Sequence, residues 1–180
     1  MEPITTIVEN LQSCCVDNRE KVKNRKEERP RFSFEALTFK VDGSSSRENG
    51  KAGIGGILTD SKGKVLCSFS SFAGNIAASK AELLAIRKAC ELCGLKAGLK
   101  KMDIRILSDS KEAVSWVNDR DFGNLNFVDI IYDIRSYLCL MKNISVHFIP
   151  RAANSDADCL AKKGSYSDPD VEVILWSDEC

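Results

Sequence analysis

Four acidic side chains of this 180-residue chain stand where predicted elements end or face the interior. Asp42 and Asp109 each close a predicted strand. Glu82 lies beside the apolar stripe of a predicted helix, and Asp158 lies one turn into the last predicted helix. A carboxylate near an apolar stripe is costly unless it is paired or bound to a metal, so these positions are candidates for chemistry.

A cluster of these four acids would require cations. Close carboxylates raise one another's pKa, and two divalent ions would neutralise four negative charges. Hard oxygen ligands suit Mg²⁺, with Mn²⁺ as a substitute. Two such ions about 3.5–4 Å apart hold both the attacking water and the leaving oxygen in phosphodiester cleavage. The predicted chemistry is therefore two-metal hydrolysis.

The two strand-end acids also have ordinary structural explanations. A single aspartate at a strand end is usually a turn former, which would account for Asp42. Asp109 or Ser110 would cap the helix that follows. Whether these residues do more depends on whether the acids converge.

The two helical acids have comparable alternatives. Glu82 would form a structural ion pair with Lys80 or Arg87. Asp158 lies near a predicted helix N-terminus, where the helix dipole mildly favours a negative charge. Only proximity to the other acids would distinguish a metal site from these explanations.

The apolar pattern predicts three antiparallel strands followed by alternating helices and strands. In Leu37–Val41, apolar and polar residues alternate with the period of a half-buried strand, which we expect to end at Asp42 with Gly43 allowing a turn. Asp60–Gly63 predicts a hairpin with Val65–Phe72 as the return strand. Later predicted helices and strands are Ala77–Cys93, Met102–Leu107, Lys111–Val117, Phe127–Leu140, Ile144–Ile149 and a last helix opened by Arg151–Asn154 with Asn154 as N-cap.

This order predicts an α/β fold with a five-stranded mixed sheet. Three antiparallel strands come first, parallel pairing follows through helical crossovers, and helices cover both faces. If the first and fourth strands are neighbours, Asp42 and Asp109 lie side by side. The glycines within Ala52–Leu58 predict the close approach of another backbone or of a ligand.

Composition divides the chain into a domain with two flanking segments. We expect the domain at 32–165, preceded by an arm at 1–31 that is partly basic and flexible, since 18–31 carries a net charge of +4. Residues 166–180 form a tail whose apolar part docks on the domain or on a partner. The whole chain has 26 basic and 26 acidic residues, whereas proteins that grip nucleic acid through phosphates are usually basic.

The eight cysteines are scattered and no secretion signal or membrane-length apolar run accompanies them. They are therefore expected to be reduced, mostly buried thiols in an intracellular protein, cytoplasmic or nuclear. Cys90 and Cys93 have the spacing of a zinc knuckle, but two apolar residues one helical turn apart are the favoured interpretation.

Five sequence blocks in a fixed order resemble the ribonuclease H family. The chain is most similar to the plant ribonuclease H-like domains found alone or beside retroelement reverse transcriptases, over residues 35–164. The blocks are Phe39–Ser44, Gly53–Leu58, Ser79–Ala85, Leu107–Lys111 and Arg151–Lys162. The resemblance implies a ribonuclease H-like fold.

The resemblance also implies an activity and a set of site residues. The family cleaves the RNA strand of RNA–DNA hybrids with two Mg²⁺ ions, so the expected partner is such a hybrid or another nucleic acid. No membrane partner is expected, and the protein is expected to be a monomer. The family's metal-binding acids match Asp42, Glu82, Asp109 and Asp158. Expected substrate contacts beside them are Gly43, Ser44 and Ser110.

Two departures keep other functions open. The segment Val117–Asn124 is not basic where bacterial members insert a basic handle, and the only histidine, His147, falls within a predicted strand, where a structural role is expected. The alternative is a retroelement-derived module that binds nucleic acid without cutting it. A third candidate is another two-metal nuclease of the same fold, such as an exonuclease or resolvase.

Overall fold

The structure, a computed structural model, describes residues 36–46, 50–119 and 125–177. Described strands and helices, in chain order, are β1 (Leu37–Ser45), β2 (Lys51–Thr59), β3 (Val65–Asn75), α1 (Ala78–Leu95), β4 (Ile104–Ser108), α2 (Lys111–Asn118), α3 (Val128–Leu140), β5 (Ile144–Phe148), α4 (Ser155–Ser165) and β6 (Glu172–Trp176). The predicted arm at 1–31 lies outside the described residues, and so does part of the segment Val117–Asn124.

One mixed sheet has the strand order β5-β4-β1-β2-β3-β6. β1, β2 and β3 form the predicted antiparallel meander, and β1, β4 and β5 pair in parallel. The prediction of five strands is wrong, because Glu172–Trp176 adds a sixth strand antiparallel to β3. The α/β class and the neighbouring positions of β1 and β4 are confirmed.

Helices cover both faces of the sheet, as the pattern predicted. Gly43 faces the backbone of α1, so a Cβ there would overlap the Ala81 carbonyl carbon. Asp42 points to the opposite face of the sheet from Gly43. Its register partner Gly55 shares the face of Asp42, and a Cβ on Gly55 would overlap the Ala161 amide of α4. Helix α1 therefore packs on one face and α4 on the other.

β1 continues past its predicted end. The strand runs to Ser45, and among the described glycines only Gly50, Gly63 and Gly74 have positive φ. Gly43 is therefore extended and not a turn. Its lack of a side chain admits helix α1. The close approach predicted for the glycines within Ala52–Leu58 is that of helix α4, since a Cβ on Gly53 or Gly55 would overlap the α4 backbone at Ala161.

The tail docks on its own domain. Ile174 and Trp176 pack against the core that includes Phe69 of β3. Lys88 of α1 forms an ion pair with Glu172 at 2.7 Å between Nζ and Oε1. Residues 172–176 thus extend the sheet, so the apolar part of the tail binds the domain itself.

Most of the described cysteines are buried, as predicted. Cys67, Cys90 and Cys93 lie in the core, whereas Cys139 is half-buried and Cys159 is exposed. Burial raises the pKa of the Cys93 thiol to about 12. The zinc-knuckle alternative is not supported, since neither Cys90 nor Cys93 joins a group of potential metal ligands among the described residues. No helix in the described part of the chain is long and apolar enough to cross a membrane.

Candidate active site

Asp42 lies within β1 on the sheet face that carries α4. The predicted half-buried strand is covered on both faces here, so Asp42 is only 1% exposed. Its Oδ1 is buried and has no hydrogen-bond partner among the described residues. A buried acceptor without a partner is costly, which indicates that this oxygen awaits a cation or a proton.

Asp109 directly follows the neighbouring strand, β4, and lies level with Asp42. The parallel register pairs Lys40 of β1 with Leu107 of β4, and each aspartate is two residues further along its own chain. The side chain of Asp109 is 4% exposed, and the Arg151 guanidinium lies against it, with 3.1 Å between Nε and Oδ2. The predicted adjacency of the two aspartates is confirmed.

Glu82 reaches the same place from helix α1. The side chain is buried, and Ser108 at the end of β4 donates an Oγ hydrogen bond to Glu82 Oε2 at 3.3 Å. The backbone amide of Gly43 is its second donor. No ion pair joins it to Lys80 or to Arg87, and Arg87 pairs instead with Asp133, so the alternative of a structural ion pair is not supported.

These three acids converge on one point. One carboxylate oxygen from each of Asp42, Glu82 and Asp109 lies within 4.8 Å of the others. Burial, followed by the charges of Asp109 and Asp158, raises the pKa of Asp42 to about 7. Burial, followed by the charges of Asp42 and Asp109, raises the pKa of Glu82 to about 8. Three hard oxygen donors, with buried oxygens of Asp42 and Asp109 that lack a hydrogen-bond partner among the described residues, fit a divalent metal ion.

Asp158 lies beside this cluster and not within it. It occupies the first turn of α4, its side chain is 26% exposed, and Lys162 Nζ lies 2.6 Å from its Oδ2. Its charge still contributes to the raised pKa of Asp42, so the two groups are electrostatic neighbours. The structure brings three of the four predicted acids together and places the fourth at their edge.

Asn154 has a different role from the one predicted. It precedes α4 but makes no side-chain cap. Its Nδ2 instead donates to the Val41 carbonyl oxygen at 2.9 Å, in a fully buried contact. The residue joins the start of α4 to β1 directly before Asp42, a role that the sequence does not distinguish from capping.

Of the residues expected to contact substrate, Gly43 is buried against α1 and Ser110 lines a cavity that Glu82 and Asp109 also line. Ser110 caps α2 by accepting a hydrogen bond from the Ala113 amide at 3.2 Å, which confirms the capping alternative for this residue. Ser44 follows Gly43 in β1 and is half-buried. Their contact with substrate stays a prediction. His147 lies in β5 as predicted, with Nε2 2.8 Å from the Ser145 hydroxyl.

A cavity of about 290 Å³ opens beside the acids. Glu82, Asp109, Ser110 and Arg151 line it together with the first residues of α1. Ser108 and Arg151 both contact the acids, yet sequence reasoning assigned neither a role. The available signal was their position, since Ser108 directly precedes Asp109 and Arg151 opens the block that contains Asp158.

The sequence matches a known protein family over most of its folded part. The profile of the reverse transcriptase-like family matches residues 40–164. That range includes all four predicted acids. No curated protein matches the chain.

Solved structures share the fold. Ribonuclease H1 from the archaeon Halobacterium salinarum is 23% identical, with a TM-score of 0.63, and the match covers 72% of this chain and 96% of that one. LC11 ribonuclease H1, isolated from compost and bound to an RNA/DNA hybrid, is 25% identical with a TM-score of 0.64, covering 71% and 94%. A foamy viral protease–reverse transcriptase bound to an RNA/DNA hybrid is 22% identical with a TM-score of 0.65, covering 79% and 22%.

Proposed function

The chain belongs to the reverse transcriptase-like family with a ribonuclease H-like fold, and on that premise we propose that it is an endonuclease acting on the RNA strand of RNA–DNA hybrids. One observation carries the proposal: Asp42, Glu82 and Asp109 converge within 4.8 Å in that fold. A retired site would have no reason to keep three converging, buried carboxylates, because each one costs stability.

The proposed site holds two Mg²⁺ ions, with Mn²⁺ as a substitute. Asp42 and Asp109 hold the metals, Glu82 is a ligand of one of them, and Asp158 completes the second position. Bound in this way, the ions would activate the attacking water and stabilise the leaving oxygen. The partly exposed position of Asp158 suits a ligand that shares its ion with solvent and substrate.

The neighbouring residues position these ligands. Ser108 and the Gly43 amide donate hydrogen bonds to the Glu82 carboxylate and fix its orientation. The carboxylate oxygens keep lone pairs that can bind the metal. Asn154 holds the start of α4 against β1, which keeps Asp158 near Asp42. Such supporting contacts limit the movement of the ligands and raise the affinity for the ions.

The proposed substrate comes from the chemistry of the site together with two relatives. LC11 ribonuclease H1 and the foamy viral enzyme were each solved with an RNA/DNA hybrid. Ser44 and Ser110 flank the acids and offer hydroxyl groups that suit phosphate or 2′-hydroxyl contacts. We expect the protein to work as a monomer, because every acid of the proposed site comes from one chain.

The deciding experiment is cleavage of an end-labelled RNA–DNA hybrid. The protein should nick the RNA strand internally in Mg²⁺ or Mn²⁺ and not in EDTA. Asp109→Asn should lower the rate roughly a hundredfold or more, because it removes a charged ligand. Asp103→Asn, exposed before the start of the same strand, is the matched control and should keep activity.

A non-cleaving binding module is the second candidate, favoured by the net charge of zero. Hybrid binding that persists in EDTA, with no cleavage at any Mg²⁺ or Mn²⁺ concentration, would support this module and exclude the nuclease. Product lengths on a hybrid with blocked ends distinguish an endonuclease from an exonuclease of the same fold, since only the endonuclease cuts such a substrate.

A further inference from the structure

Arg151 is a solvent-exposed cation that forms an ion pair with a buried carboxylate. Its side chain is 78% exposed, whereas that of its partner Asp109 is 4% exposed. The two groups lie 3.1 Å apart, yet Asp109 Oδ2 accepts no hydrogen bond from any described residue. The pair is therefore held by charge and not by aligned donors. Ion pairs of this kind with an exposed partner contribute little free energy and exchange readily.

The Arg151 charge is insufficient for the acids that surround it. Among the described acids it forms an ion pair only with Asp109, and it lowers the pKa of Asp42 less than burial and the neighbouring carboxylates raise it. Asp42 Oδ1 stays without a partner. A divalent ion brings twice the charge and several coordination positions, so it satisfies oxygens that the guanidinium does not reach.

The backbone that carries Arg151 is fixed although the side chain is exposed. Pro150 precedes it, the Ala153 amide donates to the Pro150 carbonyl at 2.9 Å, and Asn154 is anchored to Val41. A change of side-chain rotamer would move the guanidinium away from Asp109 without moving α4. The Arg151 side chain also lines the 290 Å³ cavity, together with Ser110.

We propose that Arg151 is a metal-exchangeable arginine: it neutralises Asp109 in the metal-free protein and binds a phosphate of the nucleic-acid substrate once a divalent ion takes that carboxylate. The inference rests on the proposed function for its second half. A guanidinium presents planar paired donors that match phosphate oxygens, and after exchange it stands at the mouth of the site. Arg151 is then a substrate-binding residue, and its release from Asp109 couples metal binding to substrate binding.

Metal titration without substrate tests the first half. Arg151→Gln should bind Mn²⁺ roughly two- to fivefold more tightly than the wild type, measured by the electron paramagnetic resonance signal of free Mn²⁺, since an exposed ion pair no longer competes. Arg87→Gln removes another exposed arginine that is paired with an aspartate, Asp133, and should leave Mn²⁺ affinity unchanged. Arg151→Lys should restore most of the wild-type affinity.

Hybrid kinetics test the second half. Arg151→Gln should raise KM for the hybrid roughly tenfold in saturating Mg²⁺ with a change in kcat of less than about threefold, because uniform substrate binding is lost. Where the wild type does not cleave, hybrid affinity in Ca²⁺ replaces KM, so failure of the proposed function remains distinct from failure of this inference.

Two results would overturn the inference. One is Mn²⁺ affinity that is unchanged or weaker in Arg151→Gln, which would make the arginine a structural or metal-supporting residue. The other is unchanged KM or hybrid affinity beside a tightened metal site, which would leave Arg151 as a counter-ion without contact to substrate. Circular dichroism of each variant identifies a folding defect before either titration is interpreted.

Discussion

Asp42 and Glu82 are held in surroundings that oppose their charged forms. Both are buried, each lies near two other carboxylates, and their pKa values rise to about 7 and about 8. Their burial favours a protonated state in the metal-free protein and a metal-bound state when ions are present. The site therefore lowers the stability of the metal-free fold at neutral pH in order to concentrate oxygen ligands at one point.

The metal-free protein should lose stability as the pH rises from about 4 to 7. The usual pKa of an aspartate is 3.8, and that of Asp42 in the folded protein is about 7. Across this interval the unfolded chain has released the proton that the folded chain still binds, so the free energy of unfolding falls with pH. The side chain in Asp42→Asn stays neutral at every pH in this range. In EDTA at pH 8 this variant should therefore be more stable than the wild type by on the order of 1–3 kcal/mol.

Urea unfolding at several pH values in EDTA measures this difference. Its size should grow from pH 4 to 7 and then level off. Adding Mg²⁺ at pH 8 should stabilise the wild type far more than Asp42→Asn, because only the wild type has the full ligand set. Parallel pH profiles for the two proteins would contradict the raised pKa of Asp42.

At the scale of elements, the order of strands and helices was predictable because each has a strong local pattern. The alternation in Leu37–Val41 identifies β1, and the parallel placement of β4 follows from the helical crossover before it. From these two facts the meeting of Asp42 with Asp109 follows. Glu82 was predictable as a candidate because it lies on a mainly apolar stripe.

Contacts that join distant elements were not predictable. The hydrogen bond from Asn154 to Val41 spans 113 residues, and the Asn154 position also suits an N-cap. The ion pair between Arg151 and Asp109 likewise depends on where a short turn falls in space. The sixth strand was missed because Glu172–Trp176 alternates weakly and has no turn to join it to β3. Local patterns contain no information about such pairings.

Gly43 allows α1 to pack closely against β1 beside the site, and Gly43→Ala should test this contact. The added methyl group would overlap the α1 backbone at Ala81 and Glu82, which are rigid, so α1 must shift. We expect a loss of roughly 2–4 kcal/mol or more in unfolding free energy. Gly98→Ala is the matched control, since it meets no atom within 4 Å and its φ is negative. Thermal unfolding of both variants measures the effect, and equal melting temperatures would contradict the packing argument.

At the scale of the whole molecule, the charge is divided unevenly along the chain. The protein is neutral overall and residues 18–31 carry +4, so the remainder carries −4. A negatively charged remainder would repel a nucleic acid unless bound ions and nearby cations compensate. Arg151 and Lys162 are such cations beside the acids, and each is already paired with an aspartate. We therefore expect the basic segment at 18–31 to supply phosphate contacts.

Neutralising that segment should weaken hybrid binding without changing the chemical step. Replacing Lys21, Lys23 and Lys26 by Gln removes three positive charges, each able to release about one counterion from the nucleic acid. The slope of log affinity against log salt should fall in magnitude by up to about 3, and affinity at low salt roughly tenfold or more. In contrast, kcat at saturating hybrid should stay within about twofold, since these residues lie 16 or more positions before Asp42 in the chain.

The control for this experiment removes the same charge elsewhere. Lys62, Lys100 and Lys101 are exposed, and Lys62 lies in the hairpin after β2, at the opposite end of the sheet from Asp42 because Thr59 pairs with Thr38. Replacing these three by Gln should leave the salt slope nearly unchanged, although the net charge falls equally. Equal losses of hybrid affinity in both triple variants would mean that the overall charge governs binding. No loss of affinity in either variant would mean that the metal site alone binds the hybrid.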